Sequence, residues 1–394
     1  MSAVLEVRRT VHELPCGRME LLIEHSSVPL EELFVMGARD NPRRAFLFIS
    51  KILGKHLPVR PHTLQRSHAM LAATIPAVPQ PVLFIGMAET ATGLGQGVFE
   101  AWLAAHPEAR AVFMHTSRYR EVGAGQVLFE EAHSHAPNVF LNMRRDPGRQ
   151  RQFAQFRSVV LVDDEISTGK TLTQLALVVQ GHAPELERVH LCTLTDFMGQ
   201  EASEEAQRKI GIPLTIGALL RGGWRYDPHP SALPTPAAPN AEASGRLVPP
   251  TGYGRTGVGK PVQLNPREIL TLAATLAAGQ RVLVLGTGEF MHPPARLAAA
   301  LEQASGATCW SQATTRSPIK VWGPISTAHR FDDTYGEGIA NYLYNTDTRP
   351  YDHVLLCHET EPNAALDDLS RQLGARRIRF HPENRFEDLG ICRS

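Results

Sequence analysis

Cysteine is scarce in this 394-residue chain. Cys16, Cys192, Cys309, Cys357 and Cys392 are its five, far apart and without a C-x-x-C pair. That argues against a disulfide framework and a thiolate zinc site, and fits a reducing compartment. An excess of one charge is missing too: Lys and Arg number 40, Asp and Glu 40, and the formal net charge is zero. A whole-chain basic footprint for nucleic acid is thereby excluded, as is an acidic or disordered composition. No apolar run approaches the ~20 residues of a membrane-spanning helix. The opening residues MSAVLEVRRTVHELP carry charges where a secretory leader has its apolar stretch. A cytoplasmic protein without a membrane or nucleic-acid partner is expected.

What the chain does contain is apolar material for two cores, 43% of its residues, over a length that fits two domains of ~100–200 residues each. DPHPSALPTPAAPNAEASGRLVPP (227–250) is dominated by Pro, Ala and Ser without apolar periodicity, which predicts a linker. The expected domains are 1–226 and 251–394. In the first, PVLFIG (81–86), RAVFMHT (110–116) and SVVLVDD (158–164) read as buried strands, each followed by a loop. GVFEAWLAAH (97–106) and TLTQLALVVQ (171–180) read as helices. The alternation predicts an α/β fold with a parallel sheet, whose ligands bind beyond the C-terminal strand ends.

One stretch carries the chemistry. SVVLVDDEISTGKTLTQL (158–175) is a buried strand ending in Asp163 and Asp164, then a small-residue turn, then an apolar-periodic helix. Unpaired amides at such a helix start, with the helix dipole, favour an anion. The carboxylates suit sugar hydroxyls or a metal. A Walker A loop would need glycine at position 164, where this chain has Asp164.

The stretch resembles the binding motif for 5-phosphoribosyl 1-diphosphate (PRPP) of type I phosphoribosyltransferases. The resemblance implies that fold, with Asp163 and Asp164 on the ribose hydroxyls. It also implies that Glu165, Ile166, Ser167, Thr168, Gly169, Lys170 and Thr171 grip the 5-phosphate. Ala88, Glu89 and Thr90 follow PVLFIG where the family binds pyrophosphate, although an acid is unusual there. Arg118 and Arg120 lie before EVGAGQVLFEEAHSHAPN (121–138), a region similar in position to the mobile catalytic loop of orotate phosphoribosyltransferases, with arginine in place of that family's lysines. Arg118 is the expected cation for the leaving diphosphate. His133 and His135 read as loop residues with a weaker metal-binding reading. RAFLFISKILGKHLPVRP (44–61) is similar to the hood that selects the base, with Lys51, Lys55, His56 and Arg60 concentrated there. Trp224 reads as a packing anchor, with base stacking as the lesser reading.

TTRSP (314–318), downstream of such a region, resembles the TRSP domain that accompanies phosphoribosyltransferases encoded with bacterial tellurium-resistance stress genes. The resemblance implies Mg²⁺-dependent transfer of ribose 5-phosphate from PRPP to an unidentified base, releasing pyrophosphate and making a nucleotide-like metabolite. No metal ligand set is readable, and a homodimer is a compatible assembly. The alternative is a regulatory protein that binds PRPP or a nucleotide without turnover.

The second half also echoes the first. VLFIGMAET (82–90), MHTSRY (114–119) and VVLVDDEISTGKTL (159–172) return in order as VLVLGTGEF (282–290), ATTRSP (313–318) and HVLLCHETEPNAAL (353–366). Gly86 and Arg118 are 32 residues apart, Gly286 and Arg316 30. The second domain therefore reads as a degenerate copy of the same fold. Cys357 and His358 would replace the acidic pair, and Glu361, Pro362 and Asn363 the phosphate turn. Gly286, Thr287, Gly288, Arg316 and Ser317 are expected to form a second anion pocket. GYGRTGVGK (252–260) has no preceding strand and reads as a glycine-rich loop without a nucleotide fingerprint.

Overall fold

The computed structural model describes residues 8–39, 44–130, 138–229, 247–248 and 252–392. It is a mixed α/β structure containing a seven-stranded and a five-stranded sheet. The first sheet runs, edge to edge, Arg8–Leu14, Gly17–Ser26, Leu214–Pro228, Arg188–Asp196, Ser158–Ile166, Val82–Gly86 and Ala111–His115. The last five are parallel to one another; the first two join antiparallel. Val82–Gly86 is buried at every position, as a strand covered by helices on both faces must be. Asp227 and Pro228 complete a 15-residue strand, so the segment expected as a linker begins in the sheet. Leu247–Val248 pairs with Arg120–Glu121, and most of the remainder lies outside the described residues. So do His133 and His135. On either side of them the stretch expected as a mobile loop forms an antiparallel hairpin, Ala124–Glu130 with Asn138–Arg144.

The second sheet runs Thr308–Ala313, Arg281–Gly286, His353–His358, Arg376–His381 and Arg385–Ile391, antiparallel only at the last pair. Its first four strands repeat the order and direction of Ala111–His115, Val82–Gly86, Ser158–Ile166 and Arg188–Asp196. Register makes the correspondence residue by residue. Gly86 lies opposite His115 and Val162, Gly286 opposite Ala313 and Cys357. Cys357 therefore stands at the place of Val162, one position from where the string comparison put it. His358 and Glu359 occupy the positions of Asp163 and Asp164. Both glycines are required: a Cβ at Gly86 or Gly286 would run into the carbonyl oxygen of Ala91 or Phe290, where the chain doubles back.

The two halves exchange edges. Ahead of the helix Pro61–Ala72, Gly54 accepts a hydrogen bond from Ala313 N, 2.9 Å, and Val59 pairs with Ser311 on the second sheet. Ahead of the helix Pro266–Ala273, Gly254 accepts from His115 N, 3.1 Å, and Val258 pairs with Phe113 on the first sheet. Lys55 and Arg255 follow the two glycines and occupy matching places. The GYGRTGVGK stretch is thus an ordered edge segment. The matching helices Ala91–Ala105 and His292–Ser305 pack together, and a hydrophobic cluster of Ile49, Ile319, Ile325 and Tyr344 joins the halves. Ile319 also bridges to Arg39, next to the hairpin Phe34–Ala38/Phe46–Ser50, so the second half braces the hood.

Candidate functional site

An open cavity of about 210 Å³ lies at the C-terminal ends of the first sheet's parallel strands. The strand Ser158–Ile166 carries Asp163 and Asp164 to its floor. Asp163 accepts from the Asp164 amide at 2.9 Å, and Thr90 donates to Asp164 at 2.8 Å. Burial and the neighbouring Glu165 charge push the Asp164 carboxyl above its ordinary range, against the lowering influence of those hydrogen bonds. Both oxygens of Glu165 accept from Arg44 Nη2, at 2.7 and 2.9 Å, and the Arg44 guanidinium lies 4.6 Å over the Phe46 ring.

The turn Ser167–Gly169 leads into the helix Lys170–His182, whose first turn has no side-chain cap and faces the cavity. Gly169 has φ 66°, and a Cβ there would lie 2.5 Å from Met198 Cε, so glycine is needed to turn the chain. Bare helix-start amides aimed at an open space form an anion cradle. Across the cavity the 87–90 loop is pinned by Met87 N to Val162 O, 2.9 Å, and Ala88 N to Thr116 Oγ1, 2.8 Å. Glu89 sits at φ 68° without being glycine, a conformation that costs energy and is held by its surroundings. Its carboxylate lies between two arginines, 3.7 Å from Arg118 Nε and 4.0 Å from Arg316 Nε.

Arg118 is fixed from the second half: Glu289 accepts from Arg118 N and Ser117 Oγ, both at 2.6 Å. Arg316 and Ser317 line this same cavity beside the diacid; the structure thus places them with the first half's loops. Gly286, Thr287 and Gly288 do not line it. Gly288 N bonds to Thr314 Oγ1, 2.7 Å, the same device that pins Ala88, and Gly288 O accepts from the buried Lys55 ammonium, 2.7 Å. Burial pulls Lys55 down to about 8, with Glu89 and Glu289 opposing.

The remaining wall was largely missed by sequence reasoning. Arg39, Arg44 and Leu47 come from the hood, and Thr315 and Ile339 from the second half. Thr315 belongs to the TTRSP stretch, and Arg44 and Leu47 to the hood stretch, but nothing along the chain assigns them to this opening; only the register of distant segments brings them together. His56, singled out with the hood, does line the cavity, and burial beside Lys55 and Arg39 pushes it down to about 3, so it is neutral. Lys51 instead bonds Glu31 O on the surface, and Arg60 pairs with Glu302 at 2.8 Å. Trp224 packs edge-on to Phe46, 4.9 Å between centroids, away from the cavity. Arg120 is outside the lining as well.

A diacid, an uncapped helix start and two buried arginines thus surround one opening at the C-terminal ends of the parallel strands. Residues 33–223 match the family model described as phosphoribosyl transferase, and residues 253–373 that of the TRSP domain C-terminal to it. The chain belongs to the phosphoribosyl transferases that carry this second domain. It is similar in structure to the adenine phosphoribosyl transferase of Trypanosoma brucei, solved with AMP, pyrophosphate and ribose-5-phosphate. That match has 14% identity and a TM-score of 0.35 over 50% of this chain and 82% of that one. The adenine phosphoribosyltransferase of Rhodothermus marinus matches at 18% identity and a TM-score of 0.31, over 49% and 96%. No curated protein matches the sequence.

Proposed function

We propose that the cavity binds PRPP with Mg²⁺ and transfers its ribose 5-phosphate to a ring nitrogen of a base, releasing pyrophosphate. The supporting observation is that Asp163, Asp164, the 165–171 turn, the 87–90 loop and Arg118 surround one opening. In this reading the amides of Ser167–Thr171 hold the 5-phosphate, and the diacid faces the ribose hydroxyls. The bond from C1 to the diphosphate oxygen breaks as the base nitrogen bonds to C1, and the oxygen keeps the electron pair. Positive charge develops on the ribose ring, as in glycosyl transfer. Arg118 takes up the charge of the leaving diphosphate. Few proton transfers are needed; holding base and ribose in line supplies most of the acceleration.

Mg²⁺ fits the donor set. Among the described residues no three His, Cys, Asp or Glu converge as a protein cage. Mg²⁺ commonly uses one or two carboxylates with phosphate oxygens and water, and Asp163 and Asp164 would hold it in that way. The ion would neutralise diphosphate charge and favour the ionised form of buried Asp164. The product is a nucleotide-like metabolite, the kind of molecule that the resemblance ties to bacterial stress responses. Incubating the protein with PRPP, Mg²⁺ and a panel of purine and pyrimidine bases should release pyrophosphate with at least one of them. Binding of PRPP without release for any base would instead establish the regulatory reading.

A further inference from the structure

Of the four arginines that line the cavity, Arg118 and Arg316 flank Glu89, and these two come from different halves of the chain. Arg118 follows the strand Ala111–His115 by three residues; Arg316 follows Thr308–Ala313 by three. They are matching residues of the two sheets, yet both reach the same opening and the same carboxylate, Glu89. Arg316 is only 9% exposed. One arm of its fork is fixed: Nη2 donates to Tyr119 Oη at 2.5 Å and to Glu337 at 2.7 Å, and the guanidinium lies 4.9 Å over the Tyr119 ring. The other arm, Nη1, is buried without a hydrogen-bond partner among the described residues, and so is the neighbouring Ser317 Oγ. A buried guanidinium nitrogen left unbonded is costly unless a ligand completes it.

We propose that Arg316, delivered by the second half, is a diphosphate-binding residue of the cavity built by the first half. Its fixed arm sets its position, and its open arm with Ser317 Oγ meets the oxygens of the diphosphate opposite Arg118. Glu89 is then an internal stand-in anion that keeps the two cations apart until the diphosphate arrives. The second half thereby completes the site and is more than an appendage. This inference rests on the proposed PRPP reading.

The test uses the full-length protein and two probes, Mg-pyrophosphate and ribose 5-phosphate, titrated separately by calorimetry. R316A should weaken pyrophosphate binding about 10-fold or more, the scale of a lost charge-assisted hydrogen bond, while ribose 5-phosphate binding is unchanged. R316K keeps the charge but loses the fork, and should lose part of the same affinity. Unchanged ribose 5-phosphate affinity reports an intact fold, and R316K serves if R316A does not fold. A merely structural arginine would lower both affinities together or neither. Wild-type pyrophosphate affinity in either folded variant, or an equal loss for both probes, overturns the inference. If the wild-type protein binds neither probe, the PRPP reading itself fails, a separate outcome.

Discussion

The two halves present matching strand ends, and only the first leaves them open. In the first half Asp163 and Asp164 face a cavity. In the second, Glu359 at the corresponding place is consumed inside the chain: Arg255 bonds it at 2.5 Å and Tyr335 Oη at 2.9 Å. Tyr335 stacks on Tyr119, centroids 4.3 Å apart, and is itself buried at 5% exposure. The helix starts differ in the same sense. Lys170–His182 has no side-chain cap, whereas Asn363 caps Ala364–Leu373 by accepting from Leu366 N at 3.0 Å. Even the loop glutamates divide: Glu89 borders the cavity, and Glu289 is spent on Ser117, Arg118 and Arg255. One scaffold thus yields a site or a strut, according to whether its polar groups are satisfied from within.

Breaking the open end should have the largest effect. Asp163→Asn with Asp164→Asn should reduce pyrophosphate release by at least ~10³-fold, the scale of losing charge stabilisation at a reacting centre. Circular dichroism should remain as in the parent protein. Full activity in that double variant would remove the diacid from the mechanism.

Breaking the strut should cost stability. Arg255→Met leaves Glu289 and Glu359 buried without their cation, and removing one partner of such a set costs about 3–5 kcal/mol. Urea unfolding should show a correspondingly lower midpoint. An unchanged midpoint would mean that the second strand end does not hold the halves together.

Acid should weaken the fold next. His56 and His68 are pushed down to about 3, and His190 and His358 to about 4, in each case chiefly by burial. These side chains bind protons in the unfolded chain below about 6.5 but remain neutral when folded. Their contribution is therefore complete above pH ~6.5 and is lost as pH falls toward 4. Each fully titrating histidine contributes a slope of about 1.4 kcal/mol per pH unit. Urea midpoints at pH 7 and pH 5 should differ accordingly, and His68→Gln should flatten the dependence.

The smallest effect is expected at the capped helix. Asn363→Ala should cost about 1 kcal/mol and leave pyrophosphate release unaltered. A loss of activity there would show that the second strand end does take part in the reaction.

The strand, diacid and turn of the first half were legible because they are contiguous: four buried apolar residues, two acids and a glycine turn state their geometry locally. The repeat was legible for the same reason, through Gly86 and Gly286. Its alignment at Cys357 slipped by one, because strand register, and not string similarity, decides which residue reaches the edge. The placement of Arg316 was not legible. Its motif is local, but its place at the first half's cavity goes with the exchange of the 54–60 and 254–258 segments, which depends on contacts far apart along the chain, Val59 with Ser311 and Phe113 with Val258. Arg39, Leu47 and Ile339 were missed likewise, since a wall assembled from a hood and a second half has no pattern along the chain.

Calorimetric titration of PRPP in the presence of Mg²⁺ tests the central claim most directly. Saturable one-to-one binding to the parent protein, lost when Asp163 and Asp164 are both replaced by asparagine, is the predicted result. Absence of binding to the parent, or the same affinity in the double variant, would contradict the account.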